Sequence, residues 1–261
     1  MRWRAAAVAS LLLLVATSIG ADAELPSKLQ TLTPRVLRIG TYFVNPPFEF
    51  VAKGKRVGFE VDLMNEVARR LRLRPVFVDT QWEVILRQME DHRYDCIVGG
   101  ITITAARQEK LAWSDPYMTT TTLSLVVNMA KTPQIRGLDD MKEATVGVQA
   151  ATTDYDAALA MQKRGEITKV EVYPFDRIET AMADLVAGRI TAVMKVYPVA
   201  AWLARRNPDL HIVAQLPHDP QPLGIGLEKN NPVLLSAVNA ALADIKQSGG
   251  YARLARKWDL P

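Results

Sequence analysis

Few residues in this chain have the type and setting to do chemistry. Arg107 follows Thr102-Ile103-Thr104, just beyond the apolar run Cys96-Ile97-Val98 and the pair Gly99-Gly100. A guanidinium in such a loop can hold a carboxylate through two parallel hydrogen bonds, or simply make a surface salt bridge. Thr152 and Thr153 precede a helical run that begins at Asp154. A helix N-terminus presents unpaired N–H groups and a positive dipole end, and a threonine there either caps the helix or bonds a ligand oxygen. Phe43 and Trp82 are aromatic faces suited to apolar, amide or cationic groups, or to core packing. Lys195 ends a short apolar strand, where it either enters a site or points to solvent.

Other chemistries lack their residues. The single cysteine, Cys96, excludes a disulfide within the chain and any multi-cysteine metal or iron–sulfur site. The three histidines, His92, His211 and His218, are isolated and lack metal spacing. No GxSxG, HExxH or serine–histidine–aspartate pattern appears, so neither a catalytic residue nor a cofactor is expected. The net charge of +4 is spread along the chain, which argues against a nucleic-acid partner.

The elements that must position these residues can be read from periodicity. At 261 residues and 49% hydrophobic content, the chain is long and apolar enough for one large domain or two small ones. Residues 1–23 stand apart. Arg2 and Arg4 precede the apolar stretch Ala5 to Ile19, and Ala21-Asp22-Ala23 supplies a small-residue cleavage site. This is the pattern of a secretory signal peptide, and no later stretch is long enough to span a bilayer. Beyond it, strand-like and helix-like segments alternate. Val36 to Ile39, Pro75 to Val78, Cys96 to Val98, Thr145 to Val148, Val170 to Tyr173 and Thr191 to Met194 read as strands. Helical stripes run through Val61–Leu71, Trp82–Met89, Tyr155–Met161, Ile178–Leu185 and Leu235–Ile245. Alternation of this kind predicts an α/β fold with mostly parallel sheets flanked by helices.

The two halves repeat each other. One helical stripe leads into Arg93-Tyr94-Asp95-Cys96-Ile97-Val98-Gly99-Gly100, another into Arg189-Ile190-Thr191-Ala192-Val193-Met194-Lys195-Val196. Two similar lobes follow. Ligands bind beyond the C-terminal ends of parallel strands, so Gly100 and the pair Lys195-Val196 are expected to face one shared cleft.

Several segments resemble the amino-acid-type extracytoplasmic solute-binding proteins of ABC importers, with glutamine- and histidine-binding proteins as relatives. These are Pro46-Pro47-Phe48-Glu49-Phe50, Gly58-Phe59-Glu60-Val61-Asp62-Leu63, Gly100-Ile101-Thr102-Ile103-Thr104-Ala105-Ala106-Arg107, Trp113-Ser114-Asp115-Pro116-Tyr117, and Gly250-Tyr251 with Lys257-Trp258. The resemblance implies a type II periplasmic-binding fold with two hinge crossings, near residues 117–122 and 219–223. Lobe 1 would comprise 24–118 and 222–261, and lobe 2 would comprise 119–221. It also implies a periplasmic monomer that closes on a small amino acid or organic acid and delivers it to a membrane permease.

For the site, the resemblance implies that Arg107 grips the ligand's α-carboxylate, assisted by Thr102, the Gly100 backbone and Thr152 with its neighbour Thr153. Phe43 and Trp82 would be the walls around the ligand's side chain; Phe48, Phe50 and Phe59 are assigned to core or rim. The chain departs from the pattern at three places. Ala150-Ala151 replaces a more glycine-rich lead-in, Gln149 stands where the glutamine binder has a cation, and Val196 stands where the amino-acid binders place an aspartate for the α-ammonium. Either the ligand has no α-ammonium, or Asp154 or Asp156 supplies the counter-charge. Cyclohexadienyl dehydratases share the fold, but no acidic residue occurs in the stretch 191–200 that would carry their proton donor. A periplasmic ligand sensor is a third possibility on the same residues.

Overall fold

The computed structural model describes residues 29–260, so the signal-peptide expectation for residues 1–23 lies outside the described residues. The chain begins with β1 (Val36–Thr41), a small antiparallel ribbon β2 (Val44–Asn45), β3 (Glu49–Ala52) and β4 (Lys55–Val57), and α1 (Phe59–Arg70). Then come β5 (Arg74–Asp79), α2 (Trp82–Glu90), β6 (Cys96–Ile97), the one-turn α3 (Ala105–Gln108) and β7 (Ala112–Trp113). A second group follows: β8 (Thr122–Asn128), β9 (Thr145–Gln149), α4 (Thr153–Lys163), β10 (Lys169–Tyr173), α5 (Ile178–Ala187), β11 (Ala192–Val196), α6 (Tyr197–Ala204) and β12 (Leu210–Pro220). The chain then returns with β13 (Gly226–Leu227), α7 (Pro232–Gln247) and α8 (Gly250–Lys257).

These elements build two five-stranded sheets, ordered β5-β1-β6-β13-β7 and β10-β9-β11-β8-β12. In the first, β1 runs parallel to β5 and β6; in the second, β9 runs parallel to β10 and β11. The repeat read from the sequence is thus a repeat of parallel three-strand units. Both sheets are mixed rather than mostly parallel, because β13 pairs antiparallel with β6 and β7, and β8 pairs antiparallel with β11 and β12. The cause is connectivity. β8 enters the second lobe and β12 leaves it, so these two neighbours run in opposite directions, and β13 is the returning chain.

The strands are buried for the reason their sequence advertises. Leu37, Ile39, Cys96, Ile97, Val146, Val193 and Met194 are almost wholly shielded, under helices whose apolar stripes face the sheets. On α1 that stripe is Val61, Leu63, Met64, Val67 and Ala68.

The lobes are tied at two crossings. Leu223 forms bridges to Met118 and to Thr102, and the Gln221 N–H donates to the Thr121 carbonyl at 2.8 Å. The C-terminal ends of β1 and β6 in one lobe, and of β9 and β11 in the other, open toward the same cleft.

A buried acid pair lies behind that cleft. Glu60, in the first turn of α1, accepts the Gly100 N–H at 3.0 Å and the Tyr117 hydroxyl. Glu49 lies beside it, with both oxygens buried and the Asn45 and Glu60 side chains as its polar neighbours. Burial, then the neighbouring Glu60 charge, holds the Glu49 carboxyl well above its ordinary value; burial also raises Glu60, against the pull of its donors. Burial thus favours the protonated form of Glu49.

The consequence for stability has a definite sign. The unfolded chain releases this proton near pH 4.5, and the folded chain retains it to higher pH. Stability is expected to fall as pH rises from 4.5 toward the folded-state value, by up to ~1.4 kcal/mol per pH unit for one proton. Glu49→Gln keeps a donor toward Glu60 and removes the titration. Urea midpoints at pH 5 and pH 8 should converge in that variant relative to wild type; an unaltered difference would place the proton elsewhere.

Candidate functional site

Arg107 is held by its own short element. The Arg107 N–H donates to the capping hydroxyl of Thr104 at 3.3 Å, which starts α3, and the guanidinium donates to the Thr102 carbonyl at 2.8 Å. Its Cζ lies 5.0 Å from the centre of the Trp82 ring. This stacking and tether fix the plane of the fork and leave its other N–H groups aimed into the cleft. Burial pushes the guanidinium below its ordinary value, partly offset by Asp154 and Asp156, yet among the described residues it forms no salt bridge. A desolvated cation without a direct partner is a receptor for an anion.

Opposite Arg107 stands the N-terminus of α4. Thr152 caps this helix, accepting the Tyr155 N–H at 3.3 Å while donating to the Gln149 carbonyl at 2.7 Å. Thr153 and Asp154 form the first turn beside it and line the same cleft. Lys195, one residue before the end of β11, reaches Asp154 at 2.6 Å, with side-chain exposures of 5% and 2%. Val196 lines the cleft next to it and caps α6 through its backbone position.

Three aromatic rings close the cleft from both lobes. Trp82 stacks on Phe175 with centroids 5.3 Å apart and planes 26° apart. Tyr42 meets Phe175 edge-on at 4.8 Å and Trp82 at 5.9 Å. The Trp82 indole N–H also donates across the cleft to the Ala151 carbonyl at 3.2 Å. Ala151 itself sits at φ 60°, a left-handed conformation that costs a non-glycine residue roughly 1–2 kcal/mol. With the rings in contact the space left in the cleft is about 30 Å³.

The structure brings Arg107, Trp82, Gly100, Thr102, Thr152, Thr153, Lys195 and Val196 to one cleft. Two expected site residues are not there. Phe43 points away, its ring 6.4 Å from that of Phe77 and beneath the Arg56 guanidinium, and it lines an outer groove with Phe50 and Trp202. β1 ends at Thr41 and the chain bends at Phe43, and that bend turns the Phe43 ring outward while Tyr42 stays in the cleft. Gln149 is buried beneath the site, where its amide donates to the Phe175 carbonyl and so supports that ring rather than facing a ligand.

The helpers of Arg107 also have other partners. The Thr102 hydroxyl donates to Gln221 at the second crossing, at 3.0 Å. The Gly100 N–H is taken by Glu60. Gly100 is nonetheless required at that spot: it adopts φ 61°, and a Cβ there would lie 2.8 Å from the Phe48 ring.

Phe175 and Tyr42 were not anticipated as cleft residues. Tyr42 lies just past the end of β1 and Phe175 in a single turn after β10, and neither position carries a periodic signal. A larger groove, about 750 Å³, runs along the outside of the second lobe past α4 and Pro217. It lacks the convergence of elements from both lobes that marks the cleft.

Residues 37–260 match the family model of bacterial extracellular solute-binding proteins, family 3. The L-cystine-binding protein TcyJ of Escherichia coli strain K12 is 32% identical over 220 residues, covering 84% of this chain and 79% of that protein. An ancestral arginine-binding protein, solved with arginine bound, superposes with a TM-score of 0.77 at 31% identity, covering 86% of this chain and 98% of that one. An ancestral amino acid-binding protein that is a precursor of cyclohexadienyl dehydratase superposes with a TM-score of 0.75 at 32% identity, covering 86% and 95%.

Proposed function

The chain belongs to the bacterial extracellular solute-binding proteins of family 3, and on that premise we propose that it is the periplasmic amino-acid-capturing component of an ABC importer. It is a binding protein rather than an enzyme, as is the cystine-binding relative that spans most of it. The solute enters between the lobes, is held by its carboxylate, and is enclosed when the lobes rotate together about the crossings at Thr121–Gln221 and Met118–Leu223. The closed complex then docks on a membrane permease, with the protein acting as a monomer. Residues 1–23 direct secretion, and no described helix is long and apolar enough to cross a membrane.

The single observation that carries this reading is Arg107. Its guanidinium is desolvated, oriented by Trp82 and the Thr102 carbonyl, and open toward the N-terminus of α4 across the cleft. A carboxylate between them gains a fork of charged donors on one side and a helix dipole on the other. The remaining N–H groups of Arg107 and the first turn of α4 are the donors in this scheme. Thr102 and Gly100 support it indirectly, by joining the Arg107 loop to the hinge and to Glu60.

A thermal-shift screen of the purified protein against the common amino acids and small carboxylic acids tests the proposal. A ligand that binds only the folded chain raises the melting temperature by mass action, by about 2.7 kcal/mol of stability at a hundredfold excess over Kd. At least one α-amino acid should shift the transition clearly. Absence of any shift across the panel would remove the amino-acid-capture reading.

A further inference from the structure

Of the three charged side chains that line the cleft, two pair with each other and, among the described residues, one has no carboxylate partner. Arg107 is a cation without a carboxylate partner, whereas Lys195 and Asp154 form a buried pair at 2.6 Å. Glu60 and Glu49 lie behind the Gly99–Gly100 backbone, where Gly100 and Tyr117 occupy the Glu60 oxygens, and they do not line the cavity. Asp156 acts on Arg107 from an exposed position on α4, where solvent screens it.

Consider how each kind of amino acid would fill this arrangement. An α-carboxylate takes Arg107 in every case. The α-ammonium then needs an acceptor, and Asp154 is the carboxylate lining the cleft. If the ammonium takes Asp154, it shares that one carboxylate with Lys195, so two cations face a single negative charge in a place that is 5% exposed. If it does not, the ammonium itself is enclosed without a counter-charge. Either arrangement is costly for a neutral amino acid, and a cationic side chain adds a second unpaired charge. A second carboxylate on the ligand resolves both problems, because it takes the Lys195 ammonium as Asp154 turns to the ligand ammonium. Two cations then face two carboxylates, and one ammonium faces Asp154.

We propose that the cleft is built for a dicarboxylic α-amino acid, with Arg107 on the α-carboxylate, Asp154 on the ammonium and Lys195 on the side-chain carboxylate. This rests on the amino-acid reading of the cleft given above. It departs from the arginine and cystine in the names of the similar proteins. Lys195 is the specificity-determining residue in this scheme, and the Lys195–Asp154 pair is what the ligand exchanges on entry.

Calorimetric titration with glutamate, aspartate, glutamine, asparagine, arginine, cystine and 2-oxoglutarate tests the inference. Glutamate or aspartate should bind at least tenfold more tightly than its own amide, than arginine and cystine, and, for glutamate, than 2-oxoglutarate, which lacks the ammonium. Equal or tighter binding of an amide, arginine or cystine would overturn the inference and leave the amino-acid function standing. Tighter binding of 2-oxoglutarate would overturn the role of Asp154. No binding by any of them, together with a flat thermal-shift screen, would remove the underlying function as well.

Lys195→Met supplies the converse. With the lysine gone, Arg107 and Asp154 pair fully with a neutral amino acid, so the preference should reverse from the acid to its amide. A folded Lys195→Met that keeps the acid preference would overturn the assignment. Should that variant melt too early to titrate, Lys195→Met combined with Asp154→Leu removes both charges and should reduce the acid-over-amide preference to within threefold. An intact preference in that variant would again overturn it.

Discussion

Arg107→Ala is expected to weaken ligand capture by about 2–5 kcal/mol, the cost of truncating one partner of a desolvated, hydrogen-bonded charge pair. That corresponds to roughly thirty-fold to several thousand-fold in Kd. The fold should survive, because no carboxylate among the described residues loses a salt-bridge partner and the lost guanidinium contacts are one carbonyl and one ring face. The melting temperature without ligand should therefore stay close to wild type. Arg107→Lys keeps the charge, but an ammonium cannot reproduce the planar fork, so it should recover only part of the affinity. Calorimetric titration with the amino acid that gives the largest thermal shift is the measurement. A Kd within about twofold of wild type for Arg107→Ala would remove Arg107 from the site.

Asp154→Ala should do the opposite and strike stability. It strands the Lys195 ammonium at 5% exposure, with only the Phe175 ring face 5.9 Å away as partial compensation. Breaking a buried pair from one side costs about 3–5 kcal/mol, far more than the median of roughly 0–1 kcal/mol for an exposed bridge. The lost dipole interaction at the start of α4 adds a few tenths of a kcal/mol to about 1 kcal/mol. Replacing both partners, Lys195→Met with Asp154→Leu, should restore most of the loss, because two apolar side chains need no counter-charge. Equilibrium urea unfolding of the three proteins decides it. A loss under about 1 kcal/mol for Asp154→Ala would mean that Lys195 escapes to water and that the pair is not enclosed.

The two variants separate two uses of charge in one cleft. Arg107 is desolvated in advance and waits for an anion, so its removal is felt on binding. Lys195 and Asp154 satisfy each other, so removal of one is felt in the folded protein itself. The same distinction underlies the proposed ligand preference, since an entering amino acid must exchange that pair without leaving a member of it unpaired.

Much of this was legible in the sequence because it depends on local pattern. The parallel units around β1 and β9 follow from apolar strands alternating with helical stripes, and Arg107 follows from its loop beyond a strand end. Gly100 and the capping threonine at 152 likewise belong to a few adjacent residues whose backbone demands are local. Tertiary structure decided the rest. Tyr42 rather than Phe43 faces the cleft because the chain bends just beyond β1, and which of two adjacent rings that bend turns inward is set by packing and not by composition. Gln149 became a support for Phe175, and Thr102 a link to Gln221, because those partners lie 26 and 119 residues away. The Lys195–Asp154 pair spans 41 residues and exists only where the end of β11 meets the start of α4. Sequence by itself determined which residues could bear charge or bind an anion. Which of them are already satisfied, and which remain free for a solute, was decided only when helix ends and strand ends from two lobes were packed against one another, because pairing requires charges to lie within a few ångströms and chain order does not specify that distance.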